Sequence, residues 1–171
     1  MSEDEKQPTV VYTAPADKNV KKITVPATIT VGGITYKVES VAPDAFKNCR
    51  KLTSVKISAG VQKIGKNAFS GCSRLSSVTI GKDVTEIGAG AFANCKALKK
   101  ITIPAAVTKI GKKAFNKCKK LKTVTIKTKK LKTVGSSAFK GIAKKATIDV
   151  PNKQLKTYKR LLKKAKTAGS V

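Results

Sequence analysis

The side chains best suited to chemistry in this chain are four cysteines at a constant spacing. Cys49, Cys72, Cys95 and Cys118 lie 23 residues apart. Structural zinc sites use cysteines paired at C-x-x-C spacing, which single cysteines so far apart do not supply. Stacked turns would place neighbouring cysteines about 5 Å apart, near the disulfide range, but with parallel side chains pointing inward. We therefore expect four buried thiols that pack, donate weakly to the loop backbone and form no disulfide, and we expect no metal site and no cofactor.

Groups that could act as general acids or bases are scarce. The chain contains no histidine, which excludes Ser-His-Asp, Cys-His and histidine–metal sites. Asp83 and Glu86 are the one close acidic pair in the repetitive part of the sequence. A glycosidase needs two carboxyl groups across a cleft, whereas these two would lie near one turn on an ordinary surface. The sequence therefore predicts a protein that is not an enzyme.

The net charge is the strongest compositional signal. The 171 residues include 37 Lys and Arg against 9 Asp and Glu, for a net charge of +28, and 40% of them are hydrophobic, enough for one folded domain. The charge is uneven, because residues 96–171 hold 24 basic side chains and one acidic one. Such a balance indicates a polyanionic partner. The alternative is that the lysines only keep a repetitive protein soluble.

The elements that position these residues follow from a repeat of 23 to 24 residues. Its pattern is A-F-x-x-C-x-x-L-x-x-V-x-I, a spacer, then V-x-x-I-G-x-x-A-F. The phenylalanines that mark it are Phe46, Phe69, Phe92, Phe115 and Phe139. One unit of this length cannot bury its own apolar face, so neighbouring units must stack into a solenoid.

Two periodicities occur within each unit. The V-x-I step alternates with period two, as in a strand with one buried face, whereas Ala45, Phe46, Cys49 and Leu52 are spaced as in a short helical turn. A glycine follows the second apolar pair of each unit, and we expect a tight turn there that needs permissive backbone angles. These glycines are Gly65, Gly88, Gly111 and Gly135.

Both ends depart from the repeat and divide the chain into four segments. We expect a flexible acidic leader at 1–17, an N-terminal capping repeat at 18–45, four repeats at 46–138, and a degenerate last repeat with a capping helix at 139–168. In the first cap, Gly32-Gly33 between alternating apolar residues predicts a hairpin that covers the open edge. In the second, an apolar stripe has helical spacing, and the alternative to a cap is a helix that binds membrane surfaces or nucleic acid. The stripe consists of Leu155, Tyr158, Leu161, Leu162 and Ala165.

The repeat resembles the leucine-rich repeats of BspA-type bacterial cell-surface proteins over about residues 18–150. Ile101-Thr102-Ile103-Pro104, with Ile110-Gly111 and Ala114-Phe115, carries the resemblance most fully. It implies an α/β repeat fold: a right-handed leucine-rich-repeat solenoid of about six turns, with parallel strands on one side, an N-terminal hairpin cap and a C-terminal helical cap. It also implies a role in adhesion or surface recognition, and it supplies no catalytic residues.

Basic side chains recur just after each cysteine and on the segment that enters the strand. Turns stacked at about 4.8 Å would align them into a stripe roughly 20 Å long, which suits a linear polyanion. The stripe begins at Arg50, Lys51 and Arg74, and Lys112, Lys113, Lys127, Lys129, Lys130 and Lys132 widen it. The candidate contact residues, called here the lysine-rich edge, are Lys96, Lys99, Lys119, Lys120, Lys122, Lys144 and Lys145. Because lysine attracts phosphate or sulfate but reads bases poorly, binding should be steeply salt-sensitive and independent of sequence.

These observations predict a non-enzymatic binding or adhesion domain of a bacterial surface protein. Its partner would be an acidic polymer, a glycan or a host protein, and the alternatives are a nonspecific nucleic-acid or polyanion binder and a structural spacer. No apolar stretch is long enough to span a membrane. The first residues lack a signal-peptide pattern, which alone indicates the cytoplasm. The resemblance instead implies a secreted or cell-surface location, and two capped ends predict a monomer.

Overall fold

The computed structural model describes residues 7–14, 17 and 19–166. Within these residues the chain forms thirteen short strands, a 3-10 turn at Asn152–Gln154 and one α-helix, α1, at Leu155–Lys166. The strands are β1 (Thr9–Tyr12), β2 (Lys22–Val25), β3 (Thr28–Val31), β4 (Ile34–Val41), β5 (Ser54–Ile57), β6 (Lys63–Ile64), β7 (Ser77–Thr79), β8 (Glu86–Ile87), β9 (Lys100–Ile103), β10 (Lys109–Ile110), β11 (Thr123–Ile126), β12 (Thr133–Val134) and β13 (Thr147–Asp149).

Each repeat supplies two strands, one at the V-x-I step and a two-residue strand at the second apolar pair. In β5, Val55 and Ile57 are buried while Lys56 between them is exposed, as the period of two requires. Except between β7 and β9, neighbouring V-x-I strands pair in parallel and in register, so that Val55 lies beside Val78 and Ile101 beside Val124. Equivalent residues of successive repeats therefore stack in columns.

The V-x-I strands form two sheets rather than one. In the described chain, the order β2-β5-β7 makes one three-stranded sheet and β9-β11-β13 another, and no strand pairing joins β7 to β9. Pro104, at the end of β9, has no N–H to donate toward β7. The equivalent Lys127 does donate, to the carbonyl oxygen of Ile103 at 2.9 Å. The predicted parallel stack therefore exists, but it is interrupted in its middle.

The two-residue strands form a continuous second sheet. Its order is β1-β4-β6-β8-β10-β12, and β3 pairs with β4 as a hairpin. In this sheet the repeat glycines make main-chain hydrogen bonds from one turn to the next, such as Gly111 N to Ile87 O at 2.8 Å. The side of the two-residue strands is thus hydrogen-bonded from end to end, whereas the V-x-I side is divided between β7 and β9.

The A-F-x-x-C segments are hydrogen-bonded turns and not the helical turn predicted from their spacing. Cys49 N donates to Phe46 O, and Leu52 N to Cys49 O, both at 3.2 Å. A residue with a left-handed φ lies two positions before and two positions after each phenylalanine, which ends any helix at once. These residues are Asp44, Asn67, Gly90, Lys113 and Ser137 before it, and Asn48, Gly71, Asn94, Lys117 and Gly141 after it. The helical part of the fold is therefore the C-terminal cap.

The phenylalanine column forms the centre of the core. Adjacent rings stack with centroids 5.0, 5.3, 5.4 and 5.4 Å apart and with planes within 7° of parallel. Tyr12 of β1 extends this stack, 6.3 Å from Phe46. The leucine, valine, isoleucine and cysteine columns are buried around it. These ring distances also measure the step from one turn to the next.

The repeat glycines serve a different purpose from the one predicted. None of Gly65, Gly88, Gly111 and Gly135 is among the residues with positive φ. A Cβ at Gly88 would instead lie 2.7 Å from the backbone of Gly65, and the other three would meet the backbone of the preceding turn in the same way. Glycine is required because successive backbones approach too closely for any side chain.

The N-terminal cap contains the predicted hairpin, but a different strand covers the edge. Gly32 and Gly33 have φ of 57° and 78° and connect the antiparallel strands β3 and β4, as in a type I′ turn. The outermost strand of the sheet is β1, which pairs in parallel with β4. This strand lies in the segment predicted as a flexible leader, so that prediction is wrong for Thr9–Tyr12. The rest of the leader, apart from residues 7, 8, 13, 14 and 17, lies outside the described residues.

The C-terminal helix packs on the last turn, as the capping interpretation requires. Tyr158 is 1% exposed, and its hydroxyl donates to Thr128 O at 2.9 Å and accepts from Leu131 N at 3.0 Å. Leu162 is also buried. The side chain of Ala165 and residues 167–168 lie outside the described residues. No helix in the described ranges has the length and apolarity needed to cross a membrane.

Candidate polyanion-binding edge

All seven residues of the lysine-rich edge are exposed. The strand register places Lys96 and Lys119 in one column, Lys99 and Lys122 in a second, and Lys120 and Lys144 in a third. The step between turns is fixed by the backbone, because Lys122 N donates to Lys99 O at 2.8 Å. Lys145 stands in the leucine column of the degenerate last repeat. The structure therefore brings six of the seven into aligned pairs one turn apart.

Acidic side chains of the described residues do not neutralise this edge. Among the described residues, Lys47 pairs with Asp44 at 3.0 Å and Lys109 with Glu86 at 2.8 Å. None of the seven edge lysines has a carboxylate within salt-bridge distance in the part of the chain that the structure describes. Their positive charges therefore add up to one positive electrostatic potential along this edge.

A shallow groove of about 430 Å³ runs along the cysteine side of this edge. One wall is the left-handed column of Asn48, Gly71 and Asn94, and the other includes Arg50, Ser73 and Lys96. In the next repeat the same two columns continue with Lys117 and Lys119. This polar lining of asparagine and serine was not predicted from the sequence, although the recurrent Asn or Gly directly before each of the first three cysteines was a visible signal.

A second groove, of about 800 Å³, lies where the V-x-I sheet is interrupted. It is lined by 76–80 on one side and 99–102 on the other. Val78 is only half-buried here, whereas Val55 and Ile101 are buried. Lys99 and Lys100 border this groove, so Lys99 faces both the interruption and the lysine-rich edge.

The cysteine column has the environment predicted for it. All four thiols are buried and none is in a disulfide. Three donate to the carbonyl oxygen of a phenylalanine 26 residues earlier: Cys72 to Phe46 at 3.0 Å, Cys95 to Phe69 at 3.2 Å and Cys118 to Phe92 at 3.1 Å. Burial raises the pKa of Cys72 and of Cys118 to about 12 and raises that of Cys95 well above its usual value. We therefore expect these three thiols to stay protonated and to react slowly in the folded protein.

The acidic pair has structural partners. Asp83 Oδ2 accepts a hydrogen bond from Gly60 N at 2.9 Å, and Glu86 is the partner of Lys109. The two carboxylates thus tie neighbouring turns together instead of facing each other across a cleft. Within the described residues, no group of three or more His, Cys, Asp or Glu side chains is arranged to hold a metal ion.

The surface offers no exposed aromatic ring for stacking. The chain has five phenylalanines, three tyrosines and no tryptophan. All eight rings lie in the described residues and are buried or half-buried. Base-stacking platforms need such rings, so the arrangement favours contact through charge alone.

Comparisons with known proteins agree with this geometry. The family model for the BspA type leucine-rich repeat region matches residues 39–167 in six copies. No curated protein matches the chain. Among solved structures, a leucine-rich repeat protein from T. pallidum superposes with a TM-score of 0.68 at 22% identity, covering 88% of this chain and 87% of its own.

Two solved structures from Bacteroides are more similar in sequence. A leucine-rich repeat protein from Bacteroides ovatus has a TM-score of 0.61 at 30% identity over 86% of this chain, and the match spans 44% of that longer protein. One from Bacteroides capillosus has a TM-score of 0.59 at 30% identity, covering 69% of this chain and 86% of its own.

Proposed function

Because this chain belongs to the BspA type leucine-rich repeat family, we propose that it is a non-enzymatic binding module whose lysine-rich edge attaches to an acidic polysaccharide. The observation that carries this proposal is the alignment, at one turn's spacing, of lysines that have no carboxylate partner among the residues the structure describes. Six of the seven lie in columns whose steps match the 5.0–5.4 Å between stacked rings.

This spacing favours an acidic glycan over nucleic acid. A step of 5.0–5.4 Å is close to the length of one pyranose unit in an extended chain, so acidic groups on successive units could meet successive lysines. Single-stranded nucleic acid would need aromatic platforms, which this surface lacks. A regular ladder of lysines attracts carboxylate or sulfate groups without reading a sequence of bases.

Charge reversal on the edge tests the proposal. The variant Lys119→Glu, Lys120→Glu, Lys122→Glu should bind heparin, used as a sulfated polysaccharide probe, at least about a hundredfold more weakly at low salt. Its free energy of unfolding should stay within about 1 kcal/mol of the parent, as for most surface changes. The matched control is Lys22→Glu, Lys37→Glu, Lys56→Glu, which changes the net charge equally with exposed residues of β2, β4 and β5.

The outcomes separate the possible functions. Loss of heparin binding in the edge variant but not in the control supports the proposal, and equal loss in both contradicts a localised site. Equal affinity for heparin and duplex DNA, with the same salt slope, would favour a nonspecific polyanion binder. No binding to either polymer at low salt would leave the structural spacer as the better interpretation.

Architecture and location complete the proposal. We infer a right-handed solenoid of about six turns, since parallel crossover connections are right-handed in about 98% of cases and the family model matches six copies.

A secreted or cell-surface location is consistent with the family, and burial of the thiols would protect them from oxidation there. The cytoplasm is the alternative. A monomer is expected, and light scattering would detect a larger assembly.

A further inference from the structure

Two lysines of one turn have a backbone conformation that lysine rarely adopts. Lys113 and Lys117 have φ of 58° and 59°. In this left-handed region the Cβ of an L-residue crowds its own carbonyl, so glycine, asparagine and aspartate are the residues that usually occupy it. Both lysines flank Phe115, in the repeat that also carries Lys119, Lys120 and Lys122.

Other repeats fill the same two columns mostly with residues suited to this conformation. The exception besides the two lysines is Ser137. The other occupants are Asp44, Asn67 and Gly90 in the first column and Asn48, Gly71, Asn94 and Gly141 in the second.

Space in the second column is also arranged for asparagine at position 117. A Cβ at Gly71 would collide with Asn48 Oδ1, and in the first column one at Gly90 would collide with Asn67 Oδ1. These two asparagine side chains therefore lie over the glycine of the next turn. Gly141 follows Lys117 in the same way, with the backbone of Lys117 3.4 Å from where its Cβ would be. Asparagine would suit position 117 in both backbone and space.

The backbone of this turn cannot relax to relieve the strain. Lys113 N donates to Ser136 O at 3.0 Å and Lys117 N to Lys140 O at 2.8 Å, which fixes both residues to the next repeat. Neither lysine has a carboxylate partner among the described residues. The repeat's main-chain hydrogen bonds therefore impose this φ on both positions, while no hydrogen bond or ion pair of either lysine side chain within the described chain offsets its cost.

We infer that Lys113 and Lys117 are ligand contacts and that the acidic polysaccharide passes over the turn at Phe115. Backbone conformations that are costly for the residue type cluster at binding sites, and here the repeat requires the φ but not the lysines. Lys117 continues the wall formed by Asn48 and Asn94, opposite Lys119, so a chain lying in the groove would meet it. This inference rests on the proposed function and adds to it the residues outside the lysine-rich edge that hold the polymer.

Two paired substitutions separate charge from strain. Lys113→Asn with Lys117→Asn removes both charges and relieves the backbone, whereas Lys113→Gln with Lys117→Gln removes the charges and leaves the strain. Both pairs should bind heparin roughly tenfold more weakly. The unfolding midpoint should rise by about 2–4 °C or more in the asparagine pair alone. Lys22→Gln with Lys56→Gln is the charge-matched control and should bind heparin within about twofold of the parent.

Weaker heparin binding in both pairs, with higher stability only in the asparagine pair, would support the inference. It would be overturned if both pairs bound heparin as the control does, or if the asparagine pair were no more stable than the glutamine pair. Loss of binding in the Lys119, Lys120, Lys122 variant alone would retain the proposed function and remove only this extension. Unchanged binding in every variant would contradict both.

Discussion

Replacing Gly111 by alanine should be among the most damaging single-methyl changes in this protein. The new methyl carbon would lie 2.6 Å from Gly88 C and 2.7 Å from Ala89 Cα, whereas non-bonded carbons pack at about 3.5–4.0 Å. Relief needs a shift of about 1 Å between two turns, yet Gly111 N donates to Ile87 O across the same gap at 2.8 Å. Overpacking costs about 1–3 kcal/mol and the lost hydrogen bond about 1 kcal/mol, so the free energy of unfolding should fall by about 2–4 kcal/mol.

The matched control is Gly33→Ala in the hairpin turn. Gly33 has a φ of 78°, but a Cβ there would meet nothing within 4 Å, so only conformational strain of about 1–2 kcal/mol is expected. Urea unfolding followed by circular dichroism measures both changes. If Gly33→Ala destabilised the protein as much as Gly111→Ala does, the close approach of the turns would not be the reason for the repeat glycine, and the explanation given above would be refuted.

Three further predictions concern buried groups. A thiol reagent should label the native protein far more slowly than the unfolded chain, and rapid labelling of four thiols without unfolding would contradict the burial of the column. Because burial raises the pKa of Cys72 to about 12, this thiol stabilises the fold fully below about pH 9, and the contribution is lost as the pH rises toward 12. The difference in unfolding free energy between the parent and Cys72→Ala should therefore shrink between pH 9 and 11, and a constant difference would argue against it. Tyr158→Phe leaves Thr128 O and Leu131 N without the hydroxyl that joins them and should cost about 2–3 kcal/mol, whereas Tyr36→Phe, at a half-buried position, should cost little; equal effects would show that the hydroxyl does not secure the cap.

The core columns could be predicted because the repeat itself encodes them. A phenylalanine and a cysteine that recur every 23 residues must stack if the units stack, and the observed Phe46–Phe69 contact follows directly. The cap helix was equally visible, since its apolar spacing has one period and Tyr158 lies on it. Repetition supplies the same evidence several times over, which single motifs do not.

The structural reason for each glycine could not be predicted from the sequence. A glycine at a fixed position says that a side chain is not tolerated, but it does not say whether φ or space is the reason. At Gly111 the reason is space, and at Gly33 it is φ. Only the distance between turns, which depends on the assembled stack, distinguishes the two.

Other features depended on pairings that the repeat does not encode. The run Thr9-Val10-Val11-Tyr12 has strand-forming residues, yet it lies outside the repeat, and its partner β4 is more than twenty residues away. The interruption between β7 and β9 was also not predicted, although Pro104 was the visible cause of one missing donor. The lysine-rich edge was predicted by column, while its groove of asparagine and serine required the left-handed turns to be known.

The divided V-x-I side gives the solenoid unequal mechanical compliance. The β1-to-β12 side carries backbone hydrogen bonds through all its turns, but the opposite side lacks strand pairing between β7 and β9. A load along the long axis would separate the turns first at this point, with the continuous side acting as the hinge. Bending there would widen the distance between Lys99 and the turn before it while leaving the spacing of Lys99 and Lys122 unchanged. Bending at this point would therefore change the curvature of the stack without disturbing the register of the charges on its C-terminal half.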